Sequence, residues 1–141
     1  MRIAIIGLGL IGGSLARRLH GFYDAEIVAY NRTAQTLETA KQDGAIDEGY
    51  TNAGDAMEGA DLIIMCLYPK LNVDFIKENL DRIKPGAIIT DVTGVKEYIA
   101  VELEKILPDN VDFIGGHPMA GREVGGYQSS TDTLFEKASY I

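Results

Sequence analysis

The sequence predicts an α/β fold, a doubly wound and mostly parallel sheet with helices on both faces. Three observations carry this. Apolar runs of strand length alternate with helix-spaced segments, as parallel sheets with right-handed crossovers require. The first run, Arg2-Ile3-Ala4-Ile5-Ile6, passes directly into Gly7-Leu8-Gly9-Leu10-Ile11-Gly12. A later run, Asp61 to Leu67, is apolar after its first residue, which suits a central strand covered on both faces.

The glycine element has the right context on both sides. Ile11, Leu15 and Leu19 follow it at helical spacing. Strand, GxGxxG and helix in that order form the fingerprint of a dinucleotide site. Gly7 permits the tight turn, Gly9 lets backbone approach a pyrophosphate, and Gly12 lets the helix pack on the strand. Amides at the helix start then point at the phosphates, and the helix dipole favours their charge. The competing reading is a glycine-rich turn that only joins strand to helix.

The remaining elements follow in order. Glu26 to Tyr30 reads as the second strand. Thr33 caps a helix running to about Gln42, and Gly44 ends it. Ala45 to Tyr50 holds a short third strand, and Asp55 to Gly59 a helical turn. Pro69 follows the fourth strand at the first turn of a helix running from about Leu71 to Ile83, which Pro85-Gly86 ends. Ala87 to Thr90 is the fifth strand, Lys96 to Leu107 a helix, and Val111 to Ile114 the sixth strand. The expected strand order is 3-2-1-4-5-6, a Rossmann-type domain over residues 1–141. Thr131 to Phe135 reads as a helical turn. Ala138 to Ile141 reads as a strand beginning beside strand six at the sheet edge. A strand that begins at the last residues leads to the expectation of a shortened chain lacking a second domain, with an uncovered apolar patch around Phe135 and Tyr140.

Composition narrows the partners. A length of 141 residues fits one domain, and 46% apolar content is enough for a core. A net charge of −8 argues against nucleic acid or an anionic membrane surface as partner. Cys66 is the single cysteine and lies in an apolar run, so it reads as a buried small hydrophobe. No metal-ligand cluster is read, and no apolar run reaches membrane-spanning length. The expectation is a soluble, cytoplasmic protein acting on a small molecule.

Two questions of chemistry remain. The first is the cofactor. An acidic residue after strand two would hold the ribose 2′-hydroxyl of NAD. This chain has Asn31-Arg32-Thr33 there, with no carboxylate to repel a 2′-phosphate and a guanidinium able to pair with one. That favours NADP over NAD, with Leu67-Tyr68-Pro69 after strand four as a further wall; a solvated surface role is the plain alternative for Arg32. The second question is catalysis. Asp91-Val92-Thr93-Gly94-Val95-Lys96 follows strand five, and the glycine-rich stretch holding His117 follows strand six. Loops at carboxyl strand ends converge on one crevice, so His117 and Thr93 are expected near a nicotinamide. Histidine can take a proton from an alcohol as a hydride leaves; equally, it can bond loop backbone in a purely structural role. Asp91 reads as an acceptor for loop amides. Arg122 is a candidate substrate contact or a surface residue.

Three segments together resemble a known family. The fingerprint with Leu10-Ile11-Gly12-Gly13-Ser14, the loop Asp91-Val92-Thr93-Gly94-Val95-Lys96, and above all Gly116-His117-Pro118-Met119-Ala120-Gly121 are similar to the prephenate and arogenate dehydrogenases of tyrosine biosynthesis. The likeness covers the family's nucleotide-binding half. It implies oxidative decarboxylation of a cyclohexadienol to a phenol, with His117 taking the hydroxyl proton. Many members place a serine where this chain has Gly94, and the nearest hydroxyl here is on Thr93. The family also has a C-terminal helical dimerisation domain contributing an arginine to the substrate carboxylate. That domain is expected to be absent here, so NADP binding without turnover is the expectation for this chain, and homodimerisation is expected of the longer protein. Two other readings stand beside this one. The first is another NADP-dependent reductase of the β-hydroxyacid dehydrogenase or pyrroline carboxylate reductase type, in which His-Pro-Met-Ala-Gly is not expected. The second is a non-catalytic NADP-binding module.

Overall fold

In the computed structural model, which describes residues 1–141, β1 (Arg2–Ile6) lies inside the sheet because four consecutive apolar residues give it two faces to bury. β2 (Glu26–Tyr30) and β4 (Leu62–Met65) pair with it on either side, both parallel. β3 (Glu48–Tyr50), β5 (Ile88–Asp91) and β6 (Asp112–Ile114) extend the sheet to the order β3-β2-β1-β4-β5-β6. Every strand pairing is parallel, as the alternating pattern predicted.

The period of two along each strand sorts the core into two layers. Ile3, Ile5, Ile27, Ala29 and Ile64 face α1 (Leu10–Leu19) and α2 (Ala34–Gln42), where Ala16, Leu37 and Ala40 meet them. Ala4, Ile6, Ile63, Met65 and Ile89 face the other way. There they meet α3 (Ala53–Met57), α4 (Pro69–Glu78) and α5 (Lys96–Glu104) through Met57, Ile76, Ile99 and Leu103. Each large apolar side chain buried in this way contributes about 1.5–3 kcal/mol relative to exposure. The arrangement aligns the carboxyl ends of the strands, so the loops after β1, β2, β4, β5 and β6 share one rim.

Local departures have local causes. Thr33 occupies the N-cap position of α2, but its side chain makes no capping bond. The helical turn expected at Asp55 to Gly59 is α3, shifted two residues earlier because Asn52 Oδ1 accepts from the Asp55 amide at 3.3 Å. Helix α4 starts at Pro69 rather than Leu71. It ends at Glu78 because Asn79 turns out of the helix and donates from Nδ2 to the Phe75 carbonyl at 2.8 Å; a 3₁₀ turn, Leu80–Arg82, follows. Helix α5 stops at Glu104, short of Leu107. Residues 131–138 form successive hydrogen-bonded turns instead of one helical turn.

The largest correction concerns the last residues. Ala138 to Ile141 does not join the sheet beside β6. The tail instead pairs antiparallel with the loop after β6: His117 N–H donates to Ile141 O at 2.7 Å, Ile141 N–H to His117 O at 3.1 Å, and Met119 N–H to Ser139 O at 2.8 Å. β6 is only three residues long, and Gly115-Gly116 turn the chain away from it. The Tyr140 ring fills the space over Gly116, where a Cβ would lie 2.3 Å from its hydroxyl oxygen. Tyr140 is still 56% exposed, whereas Phe135 is half-buried. No helix is long and apolar enough to cross a membrane.

The seat of α1 on β1 yields a stability contrast. A Cβ on Gly12 would lie 1.9 Å from the Gly7 carbonyl oxygen, whereas one on Gly9 meets nothing within 4 Å. Gly12→Ala is expected to cost about 3 kcal/mol, because backbone must move. Gly9→Ala is expected to cost less than about 1 kcal/mol, the scale of a changed N-cap. Urea unfolding of the two variants measures the difference.

Candidate active site

Gly7 turns the chain out of β1 at φ +107°, a left-handed value that only glycine adopts without strain. Gly9 serves as N-cap of α1, and the Gly13 amide closes the first helical bond onto the Gly9 carbonyl at 2.9 Å. The amides before Gly13 therefore have no intrahelical partner. No acidic residue occupies the first turn. Open space at Gly9, free amides and an uncharged helix start together fit a diphosphate.

A groove of about 420 Å³ runs along this element, walled by Gly7 to Gly12, Asn31, Cys66, Leu67, Tyr68, Val92 and Thr93. Asn31 straps the loop after β2 to the fingerprint, since its Oδ1 accepts from the Leu8 amide at 3.3 Å. The groove continues through Asn31, Leu67 and Tyr68 into a second hollow of about 410 Å³, which Arg32, Leu71 and Phe75 also line. Arg32 is exposed at its rim. Thr33 and Pro69 lie beside the grooves without lining them. Cys66 is only half-buried, but desolvation of its thiol, with the charge of Asp91 added, pushes it up to about 12, so it stays a thiol.

Asp91, the last residue of β5, organises the opposite wall. It is fully buried and accepts from the Thr93 amide at 3.0 Å, the Thr93 hydroxyl at 2.5 Å, Lys96 Nζ at 2.5 Å and the Gly116 amide at 3.4 Å. A buried carboxylate requires this degree of pairing. One side chain thus ties the loop after β5, the start of α5 and the loop after β6 into a single body. The amide-acceptor role was legible from the loop sequence; the bond across to Gly116 was not.

His117 stands on that body. Its Nδ1 lies 3.4 Å from the Val92 carbonyl, which can only accept, so Nδ1 is the donor in this contact and Nε2 takes no part in it. A Cβ at Gly94 would sit 3.5 Å from Cε1 and 3.8 Å from Nε2, so the backbone of the Thr93-Gly94 turn faces the ring. The Thr93 hydroxyl points to Asp91 and not to His117, while the residue itself lines the fingerprint groove. A hollow of about 500 Å³ opens beside His117 between Gly94, Lys96, Phe113 and Ile141. Arg122 is exposed and lines neither this hollow nor the fingerprint groove. Lys96 and Ile141 carried no assigned role in the sequence; topology, not spacing, brings them here.

Removing the Asp91 carboxylate leaves Lys96 and two amides unpaired. Asp91→Ala is expected to destabilise the chain by about 3 kcal/mol and to broaden the amide resonances of residues 92–96 and 115–117. Denaturant titration and amide NMR spectra together check this.

The family model for the prephenate dehydrogenase nucleotide-binding domain matches residues 14–141. Prephenate dehydrogenase of Lactococcus lactis is 37% identical across 99% of this chain, and that of Bacillus subtilis 29% identical across 99%. The chain spans about 40% and 38% of those two proteins' own lengths. Among solved structures, Synechocystis arogenate dehydrogenase superposes with a TM-score of 0.90 at 32% identity, covering 99% of this chain and 49% of that one. Prephenate dehydrogenase from A. aeolicus, in complex with hydroxyphenyl propionate and NAD+, gives 0.88 at 29% identity, covering 99% and 49%. Imine reductases and a 3-hydroxyisobutyrate dehydrogenase share the fold alone, at 16–19% identity. The family match begins after the GxGxxG element, so fingerprint and match are separate observations. The chain belongs to the prephenate dehydrogenase family, as its nucleotide-binding domain.

Proposed function

We propose that this chain binds NADP and serves the oxidative decarboxylation of prephenate or arogenate, in the cytoplasm and in the service of tyrosine formation. The observation that carries the reading is the position of Val92: the residue walls the fingerprint groove, and its carbonyl orients the His117 ring. Cofactor wall and proton acceptor are therefore two sides of one turn.

When bound, the dinucleotide supplies the hydride acceptor. The chain's own residues do the rest. Gly7 to Gly12 would receive the diphosphate, and Arg32 would pair with the 2′-phosphate. Leu8, Leu10 and Ile11 with Leu67 and Tyr68 wall the groove, and Thr93 closes it near Val92. His117 Nε2 would accept the proton of the ring hydroxyl as that carbon gives up hydride; carbon dioxide then leaves, its bonding pair passes into the ring, and the resulting phenolate oxygen recovers a proton. Thr93 acts by holding the turn on Asp91. Arg122 is assigned to the substrate side of His117, five residues along the same loop. Homodimerisation belongs to the longer protein in this reading.

Cofactor choice is tested by calorimetric titration. NADP is expected to bind more tightly than NAD, and Arg32→Ala to weaken NADP about tenfold to a hundredfold while sparing NAD, the scale of one charge-assisted phosphate contact. Equal affinities in the unmodified chain would overturn the NADP assignment.

Catalysis is tested in a protein of the relatives' full length. His117→Asn should lower turnover of prephenate and arogenate by about 10²- to 10⁴-fold, with NADP affinity nearly unchanged. Near-normal turnover would return His117 to a structural role.

A further inference from the structure

The back of α1, away from the dinucleotide groove, carries a second set of close contacts. Ser14 is fully buried; its hydroxyl donates to the Leu10 carbonyl at 2.7 Å and accepts from the Thr131 amide at 3.0 Å. Gly13 leaves room for the tail: a Cβ there would lie 2.8 Å from the Tyr127 ring and 2.9 Å from Ser130. Tyr127 is buried against this spot, and its hydroxyl donates to Asp43 Oδ2 at 3.1 Å. Arg17 stacks over the same ring at 4.7 Å, donates from Nε to Ser130 Oγ at 3.0 Å and pairs with Asp43 at 2.6 Å. Nothing in the dinucleotide reading calls for these contacts.

They fix residues 127–131. From there the turns at 132–138 lead directly to the antiparallel ladder in which Ser139 and Ile141 hold Met119 and His117. Tyr140 adds a bond from its hydroxyl to the Asp91 carbonyl at 3.4 Å. The His117 loop is thus gripped from the front by Asp91 and from behind by a tail whose anchor is the nucleotide helix. Ser14 bonds at once to the first turn of α1 and to that tail.

We propose that Gly13, Ser14 and Tyr127 are positioning residues that set the His117 loop from the back of the nucleotide helix. The proposal rests on the reading of His117 as proton acceptor, but its test does not need turnover. Alanine at position 13 raises intrinsic helix propensity, so it favours α1 itself while displacing the tail. In Gly13→Ala, amide exchange at His117 and Met119 is expected to quicken at least about tenfold, the scale of a lost buried contact, while core amides of β1 and β4 keep their protection. The His117 ring signals should shift and its pH titration should move. Tyr127→Phe, which keeps the ring on Gly13 and loses only the hydroxyl, should retain most of the unmodified pattern. Ser14→Ala provides an independent arm should Gly13→Ala not fold, with the same expected result. Unchanged exchange and titration at His117 in both variants would overturn the proposal. So would loss of protection equal at His117 and in β1 and β4, which marks general destabilisation. A full-length enzyme inactive on prephenate and arogenate, with the exchange coupling intact, would overturn the reaction and leave the positioning role standing.

Discussion

The structure depends on how closely α1 can lie against its neighbours. On its inner side Gly12 touches the Gly7 carbonyl, and on its outer side Gly13 touches Tyr127 and Ser130, with no side chain between backbone and partner on either side. Packing this tight has no slack, because interiors are close-packed and small shifts propagate. The inner contact seats the helix start at the mouth of the groove. The outer contact gives the returning tail a defined surface. Two adjacent glycines thereby link the turn after β1 to the segment at Tyr127 and Ser130.

Charge is distributed to match. The chain has 21 acidic and 13 basic residues, yet no carboxylate lines the two joined grooves, and their only ionic side chain is Arg32. Asp91, bonded to Thr93 in the groove wall, is withdrawn from solvent and paired with Lys96. An anionic ligand therefore meets backbone amides and one guanidinium in a molecule whose overall field is repulsive. Selectivity for where an anion binds comes from this local relief, not from net charge.

Much of this was legible along the chain. The fingerprint, the apolar runs and the breaks at Gly44 and Pro85-Gly86 are local signals, and the strand order follows from chain-connection rules that act on any such pattern. The positions of Arg32 and His117 at the carboxyl rim follow from strand ends in this architecture sharing one edge. What stayed hidden has no local signal. The Ser14–Thr131 bond joins residues 117 apart, and the Asp91–Gly116 bond residues 25 apart. The tail was placed at the sheet edge because a run such as Ala138 to Ile141 carries the propensity of a strand and no information on its partner. The backbone bonds to His117 and Met119, with the Tyr140 ring over the bare backbone at Gly116, settle that partner. The glycine at position 13 was read as part of a family signature, when its contact is with residues at the far end of the sequence.

The antiparallel grip of Ser139 and Ile141 on the His117 loop also has a consequence in time. The β1-β2-β3 half of the sheet closes with short connections and can form early. The histidine loop, by contrast, acquires these backbone partners only when residues 139–141 have packed back across the molecule. Long-range closure of this kind is the slow part of folding. A chain whose sheet forms before residues 139–141 pack back would hold the groove at Gly7 to Gly12 before it held an ordered histidine loop. The groove would then take shape ahead of the ladder that steadies His117, so the two walls of one crevice would mature at different times.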